Sequence, residues 1–381
     1  MIQRKKLGEI ANISAGQGAP QGAENYSEEG TPFVKAGDLF YLVNGERECD
    51  IQKVSEEVAK NHRLKLYPKG TVLFAKSGMS CMKGYVYATN AECYVVSHLA
   101  CIMPFDVDSK YLKYYFEYHK PNQLVKDASY PSISLADIAE MPINVFDDQT
   151  EAKIVDNLDA VNSLIAKSKE ELGLLDNIVK SRFVEMFGDV KEKVPLSYYI
   201  SGLCAGKSLA GEDECVNKVL KTGATTYDYF DPTQVKNLPL DYTPEEEHRV
   251  KTGDVIISRM NTAELVGAAA YVWEAPDHTY LPDRLWRAEV KDTACPIFVW
   301  QLLIQRETKE SIRRIASGTS GSMKNISKPG LLGVRVIKAE KMTQNRFSAF
   351  VAQIDKSKLA VKQSLEKLET LKKSLMQKYF G

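Results

Sequence analysis

The sequence predicts an α+β protein built as two copies of one unit. Each copy is a globular domain followed by a long helix, and the two helices pair antiparallel as a coiled-coil spacer. Three observations carry this. The chain matches itself without gaps at a separation of 193 residues: Ile133-Ser134 with Ile326-Ser327, Leu158 with Val351, Leu172 with Leu365, Leu175 with Leu368, Phe187-Gly188 with Phe380-Gly381. Two proline-free stretches place apolar residues three and four apart, with charged residues between them. Glycines recur at matched places around strand-like runs.

The repeat sets the boundaries. Residues 1–148 and 191–338 form the globular domains, and residues 149–190 and 339–381 form the helical regions. Upstream of the ungapped stretch the separation drifts through loop insertions. Gly70-Thr71-Val72-Leu73-Phe74-Ala75-Lys76 matches Gly253-Asp254-Val255-Ile256-Ile257-Ser258-Arg259, and Gly84 matches Gly267, at 183 residues. Further back, Val34-Lys35-Ala36-Gly37 matches Leu220-Lys221-Thr222-Gly223, and Leu7 matches Leu196. Apolar pattern and glycine placement agree while most identities do not, which indicates one fold carrying two different surfaces.

In the helical regions the expected packing stripe is Ile154, Leu158, Val161, Ile165, Leu172, Leu175 and Val179 in the first. In the second it is Val351, Ile354, Val361, Leu365, Leu368, Leu371 and Leu375. Each predicts a helix of about 35 residues, about 50 Å long at 1.5 Å per residue. Net charge is −3 for 149–190 and +5 for 339–381, which suits two helices that pair with each other. The simpler alternative is that each helix packs on its own domain. A domain of this size cannot cover so long a stripe, so pairing is favoured. The globular domains mix strand runs such as 71–74 and 254–257 with short helical patterns around 110–118 and 297–305.

At 381 residues the chain is long enough for more than one domain. Its 50 Lys+Arg and 50 Asp+Glu cancel, which excludes a polybasic nucleic-acid coat but leaves room for a local basic face. Seven cysteines, scattered and without a Cys-x-x-Cys, point to reduced thiols rather than a disulfide framework. The basic start is followed by Leu7-Gly8-Glu9 instead of an apolar signal core, and no run approaches the roughly 18 apolar residues of a membrane span. A cytoplasmic location without membrane attachment is expected.

Enzyme motifs are weak. Ser201-Gly202-Leu203-Cys204-Ala205-Gly206-Lys207-Ser208 resembles a phosphate-cradling loop, but Ser201 stands where the first glycine should be and no apolar helix pattern follows. Cys81, Cys93, His98 and Cys101 lack zinc spacing and sit in apolar surroundings, so buried thiols are expected. There is no Gly-x-Ser-x-Gly, no His-Glu-x-x-His and no Pro-Pro pair such as a methyltransferase catalytic motif needs. No catalytic residue and no metal site is assigned.

The remaining candidates are polar loops that recur. After the matched strand each copy has a basic loop of small residues closing on glycine, 76–84 and 259–267. Lys76, Ser77 and Lys83 in the first, and Arg259 and Asn261 in the second, can offer donors to base edges and phosphates. Lys35 and Lys221 occupy matched positions as well. The second copy adds Arg313-Arg314 and the 317–324 stretch, whose Ser320 and Lys324 could line a phosphate nest. Any one of these could be an ordinary solvated turn; their recurrence at matched positions favours DNA.

The order of these features resembles the specificity subunit of type I restriction–modification systems across essentially the whole chain. The resemblance rests on Leu7-Gly8-Glu9-Ile10-Ala11 with Gly16, the strand and loop at 253–259, Ala316-Ser317-Gly318 leading to Ile326, and two helices ending in Phe-Gly. It implies two target recognition domains, each reading one half of a bipartite sequence in double-stranded DNA. It implies helices that dock two methyltransferase subunits, which bind S-adenosylmethionine, while this chain holds no cofactor and performs no catalysis. Motor-nuclease subunits can join such complexes. The competing reading is a duplicated helical adaptor whose globular ends bind protein instead of DNA.

Overall fold

The computed structural model describes residues 3–318 and 323–381. The chain forms two compact units: Met1–Lys169 with Gln363–Gly381, and Glu170–Lys362. Among the described residues no helix is long and apolar enough to cross a membrane.

In the first unit the central sheet is antiparallel, in the order Ala11–Ala15, Leu99–Pro104, Val72–Ala75, Val86–Ala88. Val72, Leu73 and Phe74 are all buried, so this strand is covered on both faces and reads as an unbroken apolar run. One cover is the helix Ser109–Tyr118, whose Phe116 ring lies 4.9 Å from that of Phe74. Asp108 starts this helix by accepting hydrogen bonds from the Lys110 and Tyr111 amides at 2.7 and 3.1 Å. A smaller sheet runs Lys53–Val54, Thr31–Val34, Tyr94–Val95, with the last pair parallel.

The second unit repeats this plan strand for strand. Its central sheet is Ile200–Cys204, Leu285–Val290, Val255–Ser258, Ala269–Tyr271, and its smaller sheet is Val235–Asn237, Lys218–Leu220, Thr279–Tyr280, again with the last pair parallel. The sequence matches coincide with equivalent structure. Leu7 and Leu196 are fully buried and donate to the Met141 and Val334 carbonyls at 3.0 and 2.8 Å. Ser134 and Ser327 both cap short helices. Gly84 and Gly267 both take a left-handed backbone, with φ of 65° and 81°, to turn the loop back into the sheet.

The long helices are Asp148–Phe187 and Lys341–Phe380, each 40 residues. In the first unit they run antiparallel: Asn157 Nδ2 donates to the Tyr379 hydroxyl at 3.2 Å, and Lys169 meets Glu369 at 3.7 Å. In the second unit Lys358 pairs with Asp176, and Phe183 packs on Phe347 with ring centroids 5.5 Å apart. These two ion pairs are the only ones between the helices among the described residues, and they run in opposite senses. The net charges therefore do not explain pairing; exposed ion pairs contribute little, and apolar burial carries it.

The stripe itself needs one correction. Leu158, Val161 and Val351 are buried, and Ile165, Leu172, Leu175, Ile354, Val361, Leu365 and Leu368 are half-buried. Leu371, expected in the seam, is instead 45% exposed. The seam shifts to Lys372, whose Nζ lies 3.4 Å from Glu117 of the globular part, and continues through Leu375, Met376 and Phe380. A straight helix drifts against a 3.5-residue repeat, so docking on a domain replaces the coiled-coil register there.

Glu151, in the first turn of the first long helix, is buried and accepts the Asp108 and Phe146 amides at 3.0 and 3.3 Å. Burial pushes its carboxyl above the usual 4.5, against the pull of the two amides. A carboxyl raised on folding favours the protonated state, so its contribution is fully present below the unfolded value and is lost as pH rises through the folded one. Glu151→Gln is expected to flatten that part of the pH dependence of first-unit stability. Thermal melts of both proteins from about pH 4 to 7 check this; parallel curves would contradict it.

Candidate nucleic-acid interface

Where the central strand pair ends, both units build the same hydrogen-bonded junction. In the first, Val72–Ala75 runs out into Lys76 and Ser77. The Lys76 amide donates to the His98 carbonyl at 2.9 Å, and the Lys76 carbonyl accepts from Ile133 at 2.8 Å. Ser77 bridges to Ser132, and Gly78 donates to the Pro131 carbonyl at 3.0 Å. The Ser77 hydroxyl lies 2.8 Å from His98 Nδ1. Three chain segments thus meet at one sheet end, with His98 and Gly78 exposed and Lys76 half-buried.

In the second unit the Arg259 amide donates to the Arg284 carbonyl at 3.0 Å, and the Arg259 carbonyl accepts from Ile326 at 3.1 Å. Met260–Asn261 pairs with Lys324–Asn325, the counterpart of the Ser77 bridge. Arg259 Nε donates to Asn325 Oδ1 at 3.2 Å, and the guanidinium stands 5.6 Å over the buried Trp286 ring. Asn261 Oδ1 accepts the Thr262 amide at 2.9 Å, and Lys324 Nζ donates to the Gly318 carbonyl at 2.7 Å.

The structure therefore gathers Lys76 and Ser77 at one junction and Arg259, Asn261 and Lys324 at its counterpart. Lys83 is exposed at the end of the adjoining turn Met79–Lys83. Arg313 and Arg314 occupy the last turn of the helix Arg306–Ile315; Arg313 donates to the Glu264 carbonyl at 2.5 Å, while Arg314 folds back to Ser311 Oγ at 3.2 Å. Lys35 sits beside the smaller sheet, with Nζ 2.6 Å from Gln52 Oε1 and 4.0 Å over the Tyr26 ring. Lys221 is exposed just past Lys218–Leu220. Ser320 lies outside the described residues.

Neither His98, weighed above only as a metal ligand, nor Arg284 was legible as a candidate DNA contact. They are matched at a separation of 186 residues, between the 183 and 193 that the obvious matches follow, so loop insertions on both sides hide the correspondence. Nor does His98 join a metal cluster, since its ring turns to Ser77. Cys81, Cys93 and Cys101 are buried, and burial pushes the Cys101 thiol up to about 12. In the phosphate-loop lookalike Lys207 is ion-paired with Glu245 at 2.9 Å, and Ser208 hydrogen-bonds Asp283. His98 meets no carboxylate among the described residues, so Ser77 and His98 lack the third group of a hydrolytic triad.

The two units are copies of one α+β plan, each presenting a junction of different side chains. Residues 2–174 match the family model described as the type I restriction modification DNA specificity domain. The Type I restriction enzyme MjaIX specificity subunit of Methanocaldococcus jannaschii is 30% identical over 143 residues, 35% of this chain and 31% of that relative. The match spans about a third of the curated relative's length. The S subunit of a type I restriction–modification system from M. genitalium has the same fold, with a TM-score of 0.62 at 13% identity, covering 100% of this chain and 96% of that one. A chain from a structure of type I R-M complex assembly gives 0.51 at 15% identity, covering 100% and 97%. The first unit is thus similar to the type I restriction modification DNA specificity domain, and the chain as a whole shares the fold of the solved S subunits.

Proposed function

We propose that this chain chooses the DNA sequence for a type I restriction–modification complex, with each unit reading one half of a bipartite target in double-stranded DNA. The observation that carries the reading is the repeated junction: one backbone arrangement, Lys76-Ser77 in one copy and Arg259-Met260-Asn261 in the other. A fixed frame with exchanged side chains is what two different half-sites require. Two methyltransferase subunits would dock on the long helices, where Leu164, Leu174, Ile178 and Leu359 are exposed. S-adenosylmethionine and the transfer chemistry would belong to those subunits; this chain would be non-catalytic, and a motor-nuclease could join.

The deciding experiment is single-molecule sequencing of native DNA from cells with the gene intact and deleted. Loss of one bipartite methylated adenine motif on deletion is the expected result; expression of the full chain with its methyltransferase and still no motif would refute the reading. Phosphate contacts further predict that Lys76→Ala and Arg259→Ala each weaken binding by the assembled complex and reduce the salt slope by about 1. A protein-binding adaptor would show neither effect.

A further inference from the structure

We infer that His98 and Arg284 are the paired specificity-determining residues of the two units, and that Arg284 reads a guanine. The inference rests on the proposal that the junctions face DNA. It comes from comparing the two junctions atom by atom. The same two backbone hydrogen bonds fix the same two positions in each: Lys76 with His98, and Arg259 with Arg284. At the first position both units carry a permanent cation. A charge kept while the surrounding side chains change suits a phosphate, which is the same at every base pair. At the second position the chemistry changes, from an imidazole to a guanidinium, and a position that differs between two readers suits a base edge.

The side chains fit those roles. Arg259 is restrained by Asn325 and by the Trp286 face, as a register-fixing contact should be. Arg284 is exposed, and its guanidinium has no hydrogen-bond partner among the described residues. Its planar fork matches the O6 and N7 acceptors of guanine. His98 is exposed too, but Ser77 engages Nδ1 at 2.8 Å, which orients the ring and leaves Nε2 as its one polar atom without a hydrogen-bond partner among the described residues. Ser77 is thus a positioning residue, and the position has no counterpart hydroxyl in the second unit, where Met260 stands. A single directed donor or acceptor and a two-pronged donor make different demands on a base edge, which lets the two half-sites differ at this position.

The test uses the full chain assembled with its methyltransferase, binding duplexes in which each base pair of the methylated motif is changed in turn. Arg284→Ala is expected to lose about tenfold discrimination at one guanine of one half-site and to leave the other half-site unchanged. His98→Ala should do the reverse, relaxing one position in the opposite half-site, and Ser77→Ala should relax that same position. Replacing the guanine by 7-deazaguanine, which removes only N7, should weaken wild-type binding and not the Arg284→Ala complex. Both positions are exposed, and Arg284→Lys, which keeps the charge without the fork, separates reading from simple attraction: it should behave as the alanine variant. A wild-type complex with a bipartite motif whose base preferences survive all four substitutions would overturn this inference alone. A wild-type complex with no sequence preference would overturn the functional reading beneath it.

Discussion

Phe380→Ala should destabilise the first unit by about 3–5 kcal/mol, the usual cost of emptying a buried aromatic site. Phe380 is the last residue of the second long helix, and helix ends ordinarily fray and tolerate loss of a side chain. Here it is 6% exposed and enters the core, with its ring 5.2 Å from Tyr111 and 6.3 Å from both Tyr115 and Tyr118. Its carbonyl also meets His119 Nε2 at 2.9 Å. None of these rings is free to fill the gap. Tyr111 and Tyr115 are held by hydrogen bonds to the Asn144 and Pro142 carbonyls at 2.7 and 2.9 Å, so a cavity would remain. Urea unfolding of the full chain, compared with Leu371→Ala as an exposed control, measures the effect. Equal midpoints for Phe380→Ala and wild type would show that the helix end does not seal this core.

The same logic explains how far the sequence could be read. The Phe-Gly ends were visible as a matched pair because the repeat is ungapped there. Their role was not visible, since nothing in a periodic stripe says which core its last residue enters. In the second unit Phe187 packs on Phe298 and Phe347, with ring centroids 5.2 and 5.5 Å away, so both helix ends are core residues. Strand and glycine positions were legible because burial and positive φ constrain residue type strongly. Seam residues were legible except at Leu371, which Lys372 displaces, because periodicity reports a straight helix and cannot see the domain that redirects it. The junctions were half legible. Lys76 and Arg259 follow a recognisable strand, whereas His98 and Arg284 reach the site through backbone carbonyls, and a carbonyl leaves no trace in residue identity.

Gly16→Ala and Gly206→Ala should each damage both stability and reading, and in one half-site only. Gly206 belongs to the stretch that mimics a phosphate loop, and the structure gives the glycine a different reason. A Cβ at Gly206 would sit on the Leu281 carbonyl oxygen, and one at Gly16 on the carbonyl oxygens of Val95 and Val96. The obstacles are backbone atoms, so no rotamer change relieves them. Gly206 is also tied to the Pro282 carbonyl at 3.2 Å and Gly16 to that of Leu99 at 3.1 Å. These strands lead directly into Arg284 and out of His98, so the chain must move where the junction is built. Forcing a methyl into so close a contact costs typically about 1–3 kcal/mol. The shift also misplaces the reading residue, so base discrimination should fall at the half-site of the substituted unit while the other is kept. Gly18→Ala is the matched control, with no atom within 4 Å of its added Cβ, and should melt like wild type. If Gly206→Ala melts with that control and keeps both half-site preferences, the backbone approach does not set the junction. If it melts early yet reads both half-sites normally, the glycine supports the fold and leaves Arg284 in place without help from this strand.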